Sequence, residues 1–228
     1  MGQPVLTSIL ALAIAIVLTS ATAIATLAAK TPSRAVKLIG VVAVIAFAVV
    51  ALQRANLRIN FTGSMPIGIY SLSPLPNGGV TRGMLVAACA PARAAETGRQ
   101  RGYFALGPCA HNTELLLKSI AAIGGDDVDI TAAGVTVDGC LLPHSQPVRQ
   151  DRFRTPLLSW PSGDYRLARD QLWLYAPNDR SWDSRYWGPI SVRATEAAVS
   201  PVLAGMNSYN RIISHILSCE WHRSTPGG

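Results

Sequence analysis

Residues 61–66 read Phe61-Thr62-Gly63-Ser64-Met65-Pro66, and they follow within a few residues of the end of a long apolar stretch. A serine in a short turn beside such a stretch suggests a nucleophile held close to a bilayer surface. Ser-Met-Pro alone is a weak signal. Its meaning depends on the residues around it.

The chain has 228 residues, enough for one compact domain plus membrane anchors. Hydrophobic residues make up 49% and charged residues 14%, and the apolar excess lies at the N-terminus. From Pro4 to Ala29 there is no charged side chain. At about 1.5 Å per residue such a run can span a hydrocarbon core of about 30 Å. Residues 1–29 are therefore expected to form a first transmembrane helix. A second apolar run, Leu38 to Leu52, predicts another over residues 38–55, helped by the snorkelling ends of Lys37 and Arg54. The connecting residues 30–37 carry Lys30, Arg34 and Lys37 and no acidic residue, which predicts a cytoplasmic loop. Everything after Arg54 then lies outside. A cleavable signal peptide is the weaker alternative for residues 1–29, because no Lys or Arg precedes the apolar core.

The net charge of +7 does not point to nucleic acid. Three positives belong to the loop, the rest are scattered, and no basic run is interleaved with aromatics. Attraction to anionic membrane lipid explains the charge more simply. The cysteines Cys89, Cys109, Cys140 and Cys219 show no Cys-x-x-Cys spacing, so no metal site is expected. In an exported domain a disulfide is the default state. Cys89 and Cys109 bracket a polar insert and are the candidate pair; Cys140 and Cys219 are left open.

Strand signals dominate after residue 60. Met84–Ala88, Leu172–Tyr175 and Val192–Val199 read as strands, and Val135–Leu142 as two strands joined by Asp138-Gly139. The expectation is a mostly β domain over residues 56–200 with many loops. A tail over 201–228 has a short amphipathic helix through Ile212, Ile213, Ile216 and Leu217.

A serine hydroxyl needs a base. His111, His144, His215 and His222 stand in no triad context. The other base is a lysine kept neutral by burial. Lys118 is the only lysine after residue 37, and it sits in Leu115-Leu-Leu-Lys-Ser-Ile-Ala-Ala-Ile123. A lysine in an aliphatic run is costly unless it serves a purpose. A lysine snorkelling from an edge strand is the bland alternative.

Ser64-Met65-Pro66, then Lys118 followed by Gly124-Gly125-Asp126, then Ser181-Trp-Asp-Ser-Arg-Tyr-Trp-Gly188 resemble, in order and spacing, the boxes of type I signal peptidases. These are membrane-anchored Ser/Lys endopeptidases. The resemblance covers about residues 56–200. It is nearer to the TraF branch, encoded with plasmid conjugation systems, through Arg101-Gly-Tyr-Phe104, Leu116-Leu-Lys118 and Ser181–Tyr186. Lys118-Ser119 and Ala176-Pro-Asn-Asp-Arg180 depart from the general pattern and favour the specialised branch.

The resemblance implies Ser64 as nucleophile and Lys118 as general base. It implies Thr62 and the Ser64 N–H as the oxyanion hole, Ser181 orienting the lysine, and Asp183 with Arg185 bracing the site. Small substrate residues would sit in shallow apolar pockets; Ile67, Ile69, Met84 and Leu85 are the candidates to line them. No cofactor is expected. The implied substrate is an exported pilin precursor and the implied partners are conjugative transfer components. Product would be released by water or by the pilin's own N-terminal amine, which would cyclise it. The implied location is the bacterial inner membrane, multi-pass, with the catalytic domain in the periplasm. The alternatives are a general signal peptidase and a non-catalytic scaffold of the transfer apparatus.

Overall fold

The computed structural model describes residues 34–205 and, in the tail, residues 210, 211, 214, 216 and 217. The chain divides into two units, residues 1–58 and 59–228. In the first unit, helix α1 runs Arg34–Arg54. Leu38, Ile39, Val41, Val42 and Ile45 on it are all more than half exposed. Arg34 and Lys37, expected in a loop, lie inside the helix. Among the described residues, no helix is long and apolar enough to cross a membrane. The span expected at residues 1–29 lies outside the described residues.

The second unit is built on two sheets. The larger contains β1 (Leu57–Asn60), β2 (Gly68–Ser73), β3 (Leu85–Ala88), β4 (Leu116–Ile123), β9 (Gln171–Tyr175), β10 (Ile190–Ser191) and β11 (Thr195–Ala204). Their order is β1-β2-β11-β3-β4-β9-β10. The smaller contains β5 (Asp127–Thr131), β6 (Gly134–Val137), β7 (Cys140–Leu141) and β8 (Gly163–Arg166), in the order β7-β6-β5-β8. The fold is mostly β. β3 and β9 read as continuous apolar runs because both faces of the large sheet are covered there. On β9, Leu172 and Leu174 join one cluster with Val86, Ile120 and Trp187. Trp173 and Tyr175 face the other way, against Val128, Ile130, Val135 and Val137 of the small sheet.

Asp138 and Gly139 join β6 to β7 with φ of 48° and 81°. Positive φ at both positions is what a type I′ turn demands, hence the Asp-Gly pair. Buried Arg82 bonds Asp126, its Nε 2.6 Å from Oδ2, and also reaches Asp138, tying this turn to the loop before β3 and to the start of β5.

Two features depart from the sequence reading. Residues 92–100 form helix α2 (Ala92–Gln100), where only a polar insert was expected. Its buried face is Ala94, Ala95 and Gly98, too small to give a hydrophobic period. A Cβ on Gly98 would lie 2.4 Å from the Phe104 ring, so the insert closes only over glycine. A disulfide joins Cys89 to Cys109 at the base of the insert. Cys140 is also in a disulfide, and Cys219 lies outside the described residues. The second departure is β11, which begins at Thr195 after a 3-10 turn (Val192–Ala194) and runs through Ala204. Ile216 of the tail is helical and buried in the same cluster as Trp173; Ile212 and Ile213 lie outside the described residues.

Candidate active site

Ser64 sits in the turn between β1 and β2, and the turn is organised by a residue the sequence reading passed over. Asn60, 6% exposed, ends β1 and turns its carboxamide into the loop. Its Nδ2 donates to the carbonyls of Thr62 (3.0 Å), Met65 (3.0 Å) and Pro66 (3.1 Å). Its Oδ1 accepts from Thr62 N (3.1 Å) and Thr62 Oγ1 (2.7 Å). Met65 anchors the loop in a cluster with Tyr70, Leu85, Ala87 and Ala176. An asparagine beside a Thr-Gly-Ser turn was the available signal, since a carboxamide can satisfy both donors and acceptors of a tight loop.

Thr62 Oγ1 and Ser64 Oγ are 3.1 Å apart. The amide oxygen of Asn60 only accepts, so Thr62 spends its proton there and Ser64 donates to Thr62. The Ser64 N–H makes no hydrogen bond among the described residues, which leaves it available to an external oxygen.

Lys118 lies on β4 opposite Val86 of β3 and is 2% exposed. Its amine donates to Ser181 Oγ at 2.8 Å, its only hydrogen bond among the described residues. Burial lowers its pKa to about 8, with Arg185 pushing the same way and Asp183 and Glu114 opposing. A buried amine near neutrality can accept a proton, which a solvated lysine at physiological pH cannot.

Ser181 belongs to the loop between β9 and the short helix α3 (Ser184–Trp187). Asp183 and Arg185 are both fully buried. Asp183 Oδ1 accepts from Arg185 Nε and Oδ2 from Arg185 Nη2, each at 2.8 Å. Asp183 Oδ2 also takes Ala176 N at 3.2 Å. Arg185 then reaches the carbonyls of Asn178 (2.7 Å), Ala176 (3.3 Å), Ser181 (3.4 Å) and His144 (2.8 Å). Two charges are tolerated in the interior because the carboxylate and most guanidinium donors are paired. Trp182, between Ser181 and Asp183, stacks on Tyr186 and donates to the Ala94 carbonyl of the disulfide-closed insert. Arg180 is exposed.

The structure thus pairs Ser64 with Thr62, Lys118 with Ser181, and Asp183 with Arg185. Ser64 and Lys118 share no hydrogen bond. Of the pocket candidates, Ile67 is 64% exposed, Ile69 is half-buried, and Leu85 is 1% exposed beneath the serine turn. Met84 packs against the Val86 cluster rather than with Leu85, so these two neighbours do not line one surface. His111 pairs with Glu96 and His144 with Asp179; neither bonds Ser64.

Over residues 5–203 the chain matches the family described as signal peptidase, peptidase S26. It is 36% identical over 151 residues to a plasmid transfer protein TraF of Escherichia coli, covering 65% of this chain and 84% of that one. It is 34% identical over 146 residues to a conjugal transfer protein TraF of Agrobacterium tumefaciens, covering 64% and 81%. Among solved structures, a signal peptidase I from Enterococcus faecalis superposes with a TM-score of 0.32 at 13% identity, over 56% of this chain and all of that one.

Proposed function

The chain belongs to the signal peptidase S26 family, in its TraF branch, and from that premise we propose that it is a membrane-anchored serine endopeptidase maturing an exported conjugative pilin precursor. The observation that carries this reading is Lys118: a buried amine, lowered to about 8, aimed by one hydroxyl. A scaffold gains nothing from such a group, since burying it is costly.

In the proposed reaction, Ser64 Oγ attacks the scissile carbonyl and its proton passes to Lys118 Nζ. Ser64 must first turn from Thr62 toward the lysine. The Ser64 N–H receives the developing oxyanion, and Thr62 joins it once its proton leaves Asn60. Ser181 holds one N–H of the amine, which directs the lone pair. Collapse breaks the C–N bond, and the leaving amine takes the proton from Lys118. The ester at Ser64 is then resolved by water or by the substrate's N-terminal amine. Exposed Ile67 and half-buried Ile69 are proposed to flank the small residues before the cut, with Leu85 behind them and Met84, which packs in the other cluster, left out of the pocket. Enlarging the residue before the cut to Phe should block processing; unchanged processing would rule out a shallow pocket.

The exposed apolar residues of α1 from Leu38 to Val50 support an anchor, because such a surface is stable only where lipid or protein covers it. Residues 1–29 and 38–55 are proposed as its two spans, with the peptidase unit in the periplasm. Cytoplasmic residues 30–37 would then face anionic lipid. Mass spectrometry of the pilin after co-expression tests the reaction. A linear product means hydrolysis; a mass lower by one water means cyclisation. Processing that persists with Ser64→Ala refutes the proposal. Deleting the gene should abolish plasmid transfer alone; lost viability with broad precursor accumulation would indicate a general signal peptidase.

A further inference from the structure

One side chain joins the serine turn to the lysine loop. Asn178 Nδ2 donates to the carbonyl of Gly63, the residue before Ser64, at 2.9 Å. Among the described residues this is the only hydrogen bond from residues 61–66 to anything beyond Tyr70. Asn178 Oδ1 accepts from Arg180 N at 2.8 Å, which fixes the carboxamide with its donor toward Gly63. The Asn178 carbonyl accepts from Ser181 N (2.9 Å) and Arg185 Nη2 (2.7 Å). Ser181 in turn accepts from Lys118. The path Gly63–Asn178–Ser181–Lys118 is unbroken.

The two ends of this path have different supports. Asn60 shapes the serine turn from within its own hairpin, and Arg185 shapes the lysine loop from within the core. Neither fixes one against the other by hydrogen bonding. We propose that Asn178 is a positioning residue that sets the reach between Ser64 Oγ and Lys118 Nζ. The proposal rests on the Ser64/Lys118 reading above. A displacement of about 1 Å in such a pair costs on the order of 10²-fold in rate. Asn178 is only partly buried, so its side chain can be changed without opening the core.

The test uses the full chain and needs no substrate. In Ser64→Cys the thiol replaces the hydroxyl, and iodoacetamide alkylation is followed against pH. Beside a lysine, the thiol should titrate below its ordinary value of about 8.5. Adding Lys118→Met should return it to that value. Adding Asn178→Ala should move it most of the way there, with circular dichroism and thermal unfolding nearly unchanged. Asn178→Leu, of similar volume and without a donor, should behave alike and covers the case in which the alanine variant misfolds. If Lys118→Met leaves the Ser64→Cys profile unchanged, the serine–lysine pairing itself is wrong. If Lys118→Met shifts it and neither Asn178 variant does, the pairing stands and Asn178 has no positioning role.

Discussion

Lys118 and Ser181, sixty-three residues apart in the chain, meet through an amine-to-hydroxyl hydrogen bond of 2.8 Å in the interior. In the proposed reaction the lysine is a base only while uncharged, and this hydrogen bond is what would set where its lone pair points.

Activity should rise with pH through about 8, the value to which burial lowers Lys118, and level off above it. The same shift has a stability sign. The folded pKa lies below the ordinary 10.5, so between the two values the unfolded chain binds more protons and stability rises with pH. Below about 8 the fold carries the full cost of a buried ammonium, about 3 kcal/mol. Rates from pH 6 to 10 and denaturant midpoints over the same range test both.

Lys118→Met should therefore be inactive yet more stable at pH 7, by about 3 kcal/mol, because it removes that cost. Lys118→Arg should be equally inactive and also destabilised: at 2% exposure the site would have to hold a permanently charged guanidinium. Ser64→Ala should match both in activity with unchanged stability. Near wild-type cleavage by Lys118→Arg would remove the lysine from the mechanism.

Ser181→Ala should lower kcat about 10²-fold with KM little changed, since the hydroxyl acts on the base and not on the substrate. Steady-state kinetics separate the two; a change confined to KM would contradict the orienting role.

Asp183→Ala should cost about 3–5 kcal/mol, because it leaves Arg185 charged and unpaired at 0% exposure. Activity should fall with it, as Arg185 holds the carbonyls of Asn178 and Ser181. A melting temperature within a few degrees of wild type would show that Arg185 keeps its place without the carboxylate.

Asn60→Ala should free three carbonyls and loosen the serine turn while leaving the sheet intact. The expected cost is about 3 kcal/mol, with faster amide exchange confined to residues near Ser64. Exchange spread along β11 and β3 would mean that the carboxamide supports the sheet instead.

The sequence by itself determined the candidate chemistry. A serine in a Thr-Gly-Ser-Met-Pro turn, a lone lysine in an aliphatic run and Ser181-Trp-Asp-Ser-Arg185 are local patterns, and their order and spacing carry the resemblance to type I signal peptidases without coordinates. The β-rich character was legible too, because alternating and continuous apolar runs and Asp138-Gly139 are short-range signals. Helix α2 was not, because a face of alanine and glycine has almost no hydrophobic period. Tertiary structure alone decided how the site is held. Asn178 and Gly63 are 115 residues apart and meet only because sheet order brings their loops together. Asn60 and Asn178 carry no periodic or charge signature. A carboxamide's role is set by which donors and acceptors the fold places within 3 Å of it, and no local pattern encodes that.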